Sequence, residues 1–172
     1  MKRVGIPLIL TFKLDVNSQK TLDTWRETYF PLVRNHLKAH LTIYHQLPGQ
    51  QLEAIKGALA SFAQDEDPPP ILFETLMHRG GFVGVALASP ALLELKNRID
   101  LLLKDSLRAQ DCKSYRPHIT VTNLGSPSDA KRCYDSLLPQ FTPWTGSSVG
   151  LELYHYRSGP WELAADFPFP VR

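Results

Sequence analysis

Two five-residue segments of this chain read almost alike: Ala39-His40-Leu41-Thr42-Ile43 and Pro117-His118-Ile119-Thr120-Val121. Their setting repeats as well, which restricts the chain to folds with two similar halves. Hydrophobic periodicity predicts a strand from Leu8 to Leu14 and a helix from Ser18 to Tyr29, with Ser18 as N-cap. A strand from Ala39 to Leu47, an amphipathic helix from Gln50 to Gln64 and a strand from Ile71 to Met77 complete the first half. The second half runs in the same order. A strand from Phe82 to Leu87 leads to a helix behind Ser89-Pro90 whose apolar stripe is Leu92, Leu95, Ile99 and Leu102. A strand from Pro117 to Leu124 follows, then a helix opened by Ser126-Pro127 and reaching about Leu138. Val149 to Tyr156 and Glu162 to Phe167 form a closing hairpin. Arg79-Gly80-Gly81 reads as the turn that joins the halves. Pro68-Pro69-Pro70 removes three consecutive donors and reads as a surface loop.

The fold expected is α+β, a single bilobal domain over residues 1–172 with interleaved lobes and approximate repeats at 8–77 and 82–167. Two pseudo-two-fold-related lobes of antiparallel sheet would carry helices outside and face each other across a groove that holds the two His-x-Thr strands. Composition agrees: 172 residues are too few for two large independent domains, while 43% hydrophobic and 21% charged residues support a packed core. A net charge of +2 excludes coating long nucleic acid by bulk electrostatics but leaves room for a local basic groove. Cys112 and Cys133 are too few for a disulfide framework or a four-cysteine zinc site, so a reducing, cytoplasmic setting is expected. Lys2 and Arg3 precede the apolar run Val4 to Leu10, but Pro7 interrupts it and Lys13 and Asp15 close it. That pattern reads as a first strand rather than a signal peptide. No apolar run has the length of a membrane span.

Residues two apart on a strand share a face, so His40 lies beside Thr42 and His118 beside Thr120, while Leu41 and Ile119 point into a core. Two facing lobes would gather two imidazoles and two hydroxyls around one cavity. Imidazole gains and loses a proton near neutral pH. Two of them on opposite sides of a phosphorus can deprotonate the attacking oxygen and protonate the leaving one. The threonine hydroxyls can donate to the non-bridging oxygens as charge develops. No metal or other cofactor is needed.

The paired motifs His40-Leu41-Thr42-Ile43 and His118-Ile119-Thr120-Val121, the second preceded by Pro117, resemble those of the 2H phosphoesterase superfamily. That superfamily includes RNA 2',3'-cyclic phosphodiesterases, also called 2'-5' RNA ligase-like proteins. The resemblance covers nearly the whole chain. It implies metal-independent cleavage of a cyclic phosphodiester or a 2'-5' linkage on a nucleotide or RNA end, with His40 and His118 catalytic and Thr42 and Thr120 on the phosphate. Relatives acting on RNA ends often carry a basic residue shortly after the second motif. Val121-Thr122-Asn123-Leu124 has none, and Arg116 is a candidate to compensate. His118 is assigned as the base for water and His40 as the acid. The competing reading is a non-catalytic module that holds a nucleotide or RNA end in the same groove.

Tyr115 and Trp161 are the preferred stacking candidates among Phe12, Tyr44, Tyr115, Tyr154, Tyr156 and Trp161, and Lys13, Arg79 and Arg157 are candidate phosphate or ribose contacts. His36 and His40 have the i,i+4 spacing of helical metal ligands, but His40 belongs to a β-like run. His45, at an odd separation, should face away from His40 on a regular strand. His78 and His155 lie near hairpins and read as surface residues. A small nucleotide or RNA end is the partner expected, with no membrane association and a monomeric chain.

Overall fold

The computed structural model describes residues 5–112, 114–123 and 125–171. Lys2, Arg3, Val4 and Leu124, which entered the sequence reading, lie outside them, as does the side chain of Cys112. Element order is β1 (Leu8–Leu14), α1 (Val16–Tyr29), β2 (Leu41–Leu47), α2 (Leu52–Ala63), β3 (Pro70–Arg79) and β4 (Phe82–Ala88). The chain continues as α3 (Pro90–Leu102), β5 (His118–Thr122), α4 (Pro127–Leu137), β6 (Trp144–Tyr156) and β7 (Trp161–Pro168). This is the mixed helix and antiparallel-sheet architecture expected of the sequence.

The strands form one antiparallel path, β2-β1-β6-β3-β4-β5, with β7 also paired to β6. The order reads the same from either end: β2-β1 is followed by β6 and β5-β4 by β3. Each motif strand is thus an outermost strand, and the third strand of each set comes from the other half of the sequence. β6 joins the two sets, because Trp144–Ser147 pairs with β3 while Ser148–His155 pairs with β1.

One face of the first strand set is apolar by simple alternation: Leu8, Leu10, Phe12 and Leu14 are buried with Leu41, Ile43, Leu151 and Leu153. The buried stripe of α2, Ile55, Leu59 and Ala63, belongs to the same core. Val83, Val85, Ile119 and Val121 continue the same core with Leu92, Leu95 and Ile99 of α3 and Ala130, Cys133 and Leu137 of α4. Burial raises the Cys133 thiol to about 11, so it is inert packing at neutral pH. Each large apolar side chain so buried contributes about 1.5–3 kcal/mol.

The helix starts at Ser89-Pro90 and Ser126-Pro127 are as expected, the latter with a full capping box to Asp129. Four boundaries differ most. Pro70, read from sequence as part of a surface loop, opens β3 opposite Ser147, and Pro69 before it is buried. The N-cap of α1 is Asp15, whose Oδ1 accepts from the backbone of Asn17 and Ser18; Ser18 is instead buried, where its Oγ accepts from Trp144 Nε1. β2 starts at Leu41, so His40 immediately precedes the strand rather than belonging to it. β6 starts five residues before Val149, at Trp144. Gly146 lies in that extension and is the residue that lets β6 approach α1. A Cβ there would lie 2.3 Å from Ser18 Oγ and 2.4 Å from Asp15 Oδ2. Among the described residues no helix is long and apolar enough to cross a membrane.

Candidate active site

His40 does not take its position from a strand. The segment leading to it is clamped by α1: Asp23 Oδ1 accepts the Ala39 N–H at 2.7 Å, Gln19 Nε2 donates to Ala39 O at 2.8 Å, and Arg26 Nε donates to Leu37 O at 3.2 Å. His118 is the first residue of β5. The two rings are nonetheless oriented in the same way. His40 Nδ1 lies 2.8 Å from Lys38 O and His118 Nδ1 2.9 Å from Arg116 O, each a carbonyl two residues upstream. A carbonyl only accepts, so Nδ1 carries the proton in both rings, and Nε2 is left as the atom that meets a ligand.

His40, Thr42, His118 and Thr120 line one cavity of about 380 Å³, to which Tyr115 and Arg116 also contribute. Neither threonine hydroxyl has a hydrogen-bond partner among the described residues, so both are free to donate into it. The backbone behind each threonine is held from the other half of the chain. Tyr115 Oη donates to Thr42 O at 2.9 Å and an Arg26 Nη donates to Thr120 O at 2.9 Å. Outer-edge carbonyls that water would otherwise satisfy are thereby tied into the fold.

Trp161 is outside this cavity. It lines an adjoining one of about 880 Å³ that meets the first at His40, with its indole centroid 4.6 Å from that ring. Tyr115, taken from sequence as a stacking platform, is occupied with positioning β2, and burial raises its hydroxyl above the ordinary tyrosine range. Phe12 and Tyr44 are core residues. Lys13 pairs with Asp166 and Arg157 with Glu162, while Arg79 is exposed at the end of its hairpin. His78 is exposed and stacks on Tyr134; His155 is half-buried in β6.

Three residues escaped the sequence reading. His45 lines the same cavity as both motif histidines, against the expectation that it faces away. Strand β2 is bulged twice: Thr42 opposes Thr11, Tyr44 opposes Leu10 and Leu47 opposes Leu8, which re-aims the side chains between. Lys96 and Arg26 are each only 3% exposed. Each follows a buried leucine of its helix, Leu92 or Leu22, by four residues, so a charge on the apolar stripe was the available signal. Lys96 donates to both oxygens of Asp100 at 2.8 Å and borders the cavity. Arg26 spends its donors on Leu37 O, Thr120 O and the Asn35 side chain, none of them a carboxylate.

These neighbours set the protonation of the site. Burial lowers His40 to about 4, aided by the positive charges of Arg26 and His45 and opposed by the Lys38 carbonyl and by Asp23. Burial also lowers His45, with Asp111 opposing and His118 adding to the effect. At neutral pH His40 is therefore an unprotonated imidazole with its lone pair at Nε2. Among the described residues no group of three or more His, Cys, Asp and Glu side chains is arranged to hold a metal ion.

Comparison with known proteins identifies the family and the fold. The sequence model of the 2'-5' RNA ligase superfamily matches residues 14–160. No curated protein matches the sequence. Among solved structures, TT0787 of Thermus thermophilus superposes with a TM-score of 0.63 at 14% identity, covering 95% of this chain and 98% of that one. LigT of E. coli, solved in complex with 3'-AMP, gives 0.64 at 16% identity over 96% and 99% of the two chains. A structure described as a phosphoesterase gives 0.60 at 19% identity over 97% and 99%. The chain belongs to the 2'-5' RNA ligase superfamily, within the 2H phosphoesterases that its paired motifs resemble.

Proposed function

We propose that this protein is a metal-independent phosphodiesterase that opens a 2',3'-cyclic phosphate, or a related 2'-5' phosphodiester, on a nucleotide or RNA end. The observation that carries the reading is the matched pair of imidazoles, each fixed through Nδ1 to the carbonyl two residues upstream, around one cavity with two unengaged threonine hydroxyls. A positioning role alone would not call for two groups that exchange protons; lysine or arginine holds phosphate more simply.

In this scheme the phosphate lies between the two Nε2 atoms. One ring takes a proton from the attacking water as the new P–O bond forms. The other gives a proton to the ribose oxygen as the old P–O bond breaks. Thr42 and Thr120 donate to the non-bridging oxygens, whose charge grows in the transition state. Burial of His40 supports the opposite assignment to the one drawn from sequence. A ring kept neutral at pH 7 is ready to act as the base, which leaves the proton donation to the exposed His118.

The test is turnover of a panel of 2',3'-cyclic nucleotides and a cyclic-phosphate-ended oligonucleotide, in EDTA, by the wild type, His40→Ala and His118→Ala. Cleavage by the wild type that falls by about 10²–10⁴-fold in each variant is expected. The position of the phosphate in the product identifies the bond broken. Tight binding of the panel without turnover would instead make the protein a binding module.

A further inference from the structure

The larger cavity beside His40 is not needed for chemistry at one phosphorus. Its volume of about 880 Å³ is near the upper end of the range typical of small-molecule pockets, about 300–1,000 Å³. Its floor is the face of β1, β6 and β7 that turns away from the core. Thr42 opposes Thr11, Thr11 opposes Glu152 and Glu152 opposes Asp166, so a straight row leads from a motif threonine to two carboxylates. Two strand spacings, about 9–10 Å, separate Thr42 from Glu152. That is the reach from a ribose phosphate across the sugar to the far edge of a purine.

Around the motifs, Lys96 and Arg116 are the cationic side chains, with Asp111 also in the lining and His45 shifted by burial toward its neutral form. In the larger cavity, Asp23, Glu27 and Glu152 line the walls together with Lys13, Lys20 and Lys38, so its charges are mixed, and a group rich in N–H donors is favoured beside the carboxylates. Lys13 is drawn to Asp166 at 2.7 Å and stands 3.9 Å from Glu152 Oε1. Tyr154 Oη donates to Glu152 Oε2 at 2.7 Å. Glu152 Oε1 therefore has no hydrogen-bond donor among the described residues, and Oε2 keeps a lone pair. Trp161 borders the same space, with Tyr154 tilted against it at 5.5 Å.

We propose that this cavity is a guanine-selective base subsite, in which Trp161 stacks on the base and the Glu152 carboxylate accepts from its ring N–H and exocyclic amine. Guanine alone among the four bases presents two adjacent donors on its pairing edge. Adenine and cytosine set an amine beside an acceptor, and uracil offers one N–H between two carbonyls. A carboxylate only accepts, so it matches the first pattern and leaves a mismatch with the others. The proposal rests on the phosphodiesterase reading for the placement of the phosphate and adds the identity of the nucleoside attached to it.

Calorimetric binding of 3'-GMP, 3'-AMP, 3'-CMP and 3'-UMP to the intact protein tests this without requiring turnover. The wild type should bind 3'-GMP at least about tenfold more tightly than the other three, the discrimination of one good bidentate contact. Glu152→Gln should bring the 3'-GMP to 3'-UMP ratio to within about threefold. Trp161→Leu should weaken every nucleotide by at least about fivefold, the loss of one stacking contact. Binding of all four bases with equal affinity by the wild type, or an unchanged ratio in Glu152→Gln, would overturn the proposal. Selective 3'-GMP binding without hydrolysis of any cyclic nucleotide would remove the enzymatic reading and keep the subsite. Hydrolysis with no base preference would do the reverse.

Discussion

His40 and His118 share a spelling and an orienting carbonyl, but not an environment. His40 is wedged between the α1 clamp and the Trp161 ring, and burial holds it at about 4; His118 is exposed at the start of β5. With His40 as the base, the acid limb of kcat/KM should fall near pH 4 rather than near the ordinary imidazole value of about 6.5. A limb at pH 6 or above would return the base role to His118. The same shift has a stability consequence. The unfolded chain binds a proton near pH 6.5 that the folded chain refuses until about pH 4. Stability from this group is thus present above about pH 6.5 and is lost as pH falls from there toward about 4. The urea midpoint of His40→Gln should fall less steeply over that interval than the wild type's. Thr42→Val and Thr120→Val keep shape and remove a donor to a charged oxygen, so each should lower turnover by about ten- to a hundredfold with little change in fold.

The elements explain which of these features could be seen in the sequence. His-x-Thr spacing, the Ser-Pro helix starts and the apolar stripes are local patterns with local causes, and the strands and helices they predict are present. The position of His45 depends on two bulges in β2, which only its pairing with β1 reveals. The placement of His40 depends on Gln19 and Asp23, which read as ordinary polar surface, and on Arg26, whose only signal was a charge on the apolar stripe. Arg26 is the sharpest case, because its guanidinium joins the segment before β2 to the outer strand β5. Arg26→Met leaves those carbonyls without a donor and should destabilise the protein by about 2–4 kcal/mol in urea denaturation. It should also lower turnover, since Thr120 moves with its strand. Tyr115→Phe removes the corresponding bond to Thr42 O and should cost about 1 kcal/mol.

At the scale of the whole molecule, the sheet path β2-β1-β6-β3-β4-β5 makes the halves of the chain depend on one another. Each strand set is completed by a strand from the other half, and β6 belongs to both. The two halves should therefore unfold together. Trp fluorescence and far-ultraviolet circular dichroism should report one coincident urea transition, and two separated transitions would show independent lobes. The arrangement also explains why the cavities sit where they do: the motif strands are the two ends of the path, and the fold brings these ends to a common cavity.

The central claim is that His40 and His118 act as one unit on a single phosphorus. The most direct measurement is a double-mutant cycle: single-turnover rates on a 2',3'-cyclic nucleotide for the wild type, His40→Ala, His118→Ala and the double variant. Two groups that serve one proton-transfer event predict that each single substitution removes nearly all that the double one removes. Losses that add independently, or turnover that survives in the double variant, would contradict it.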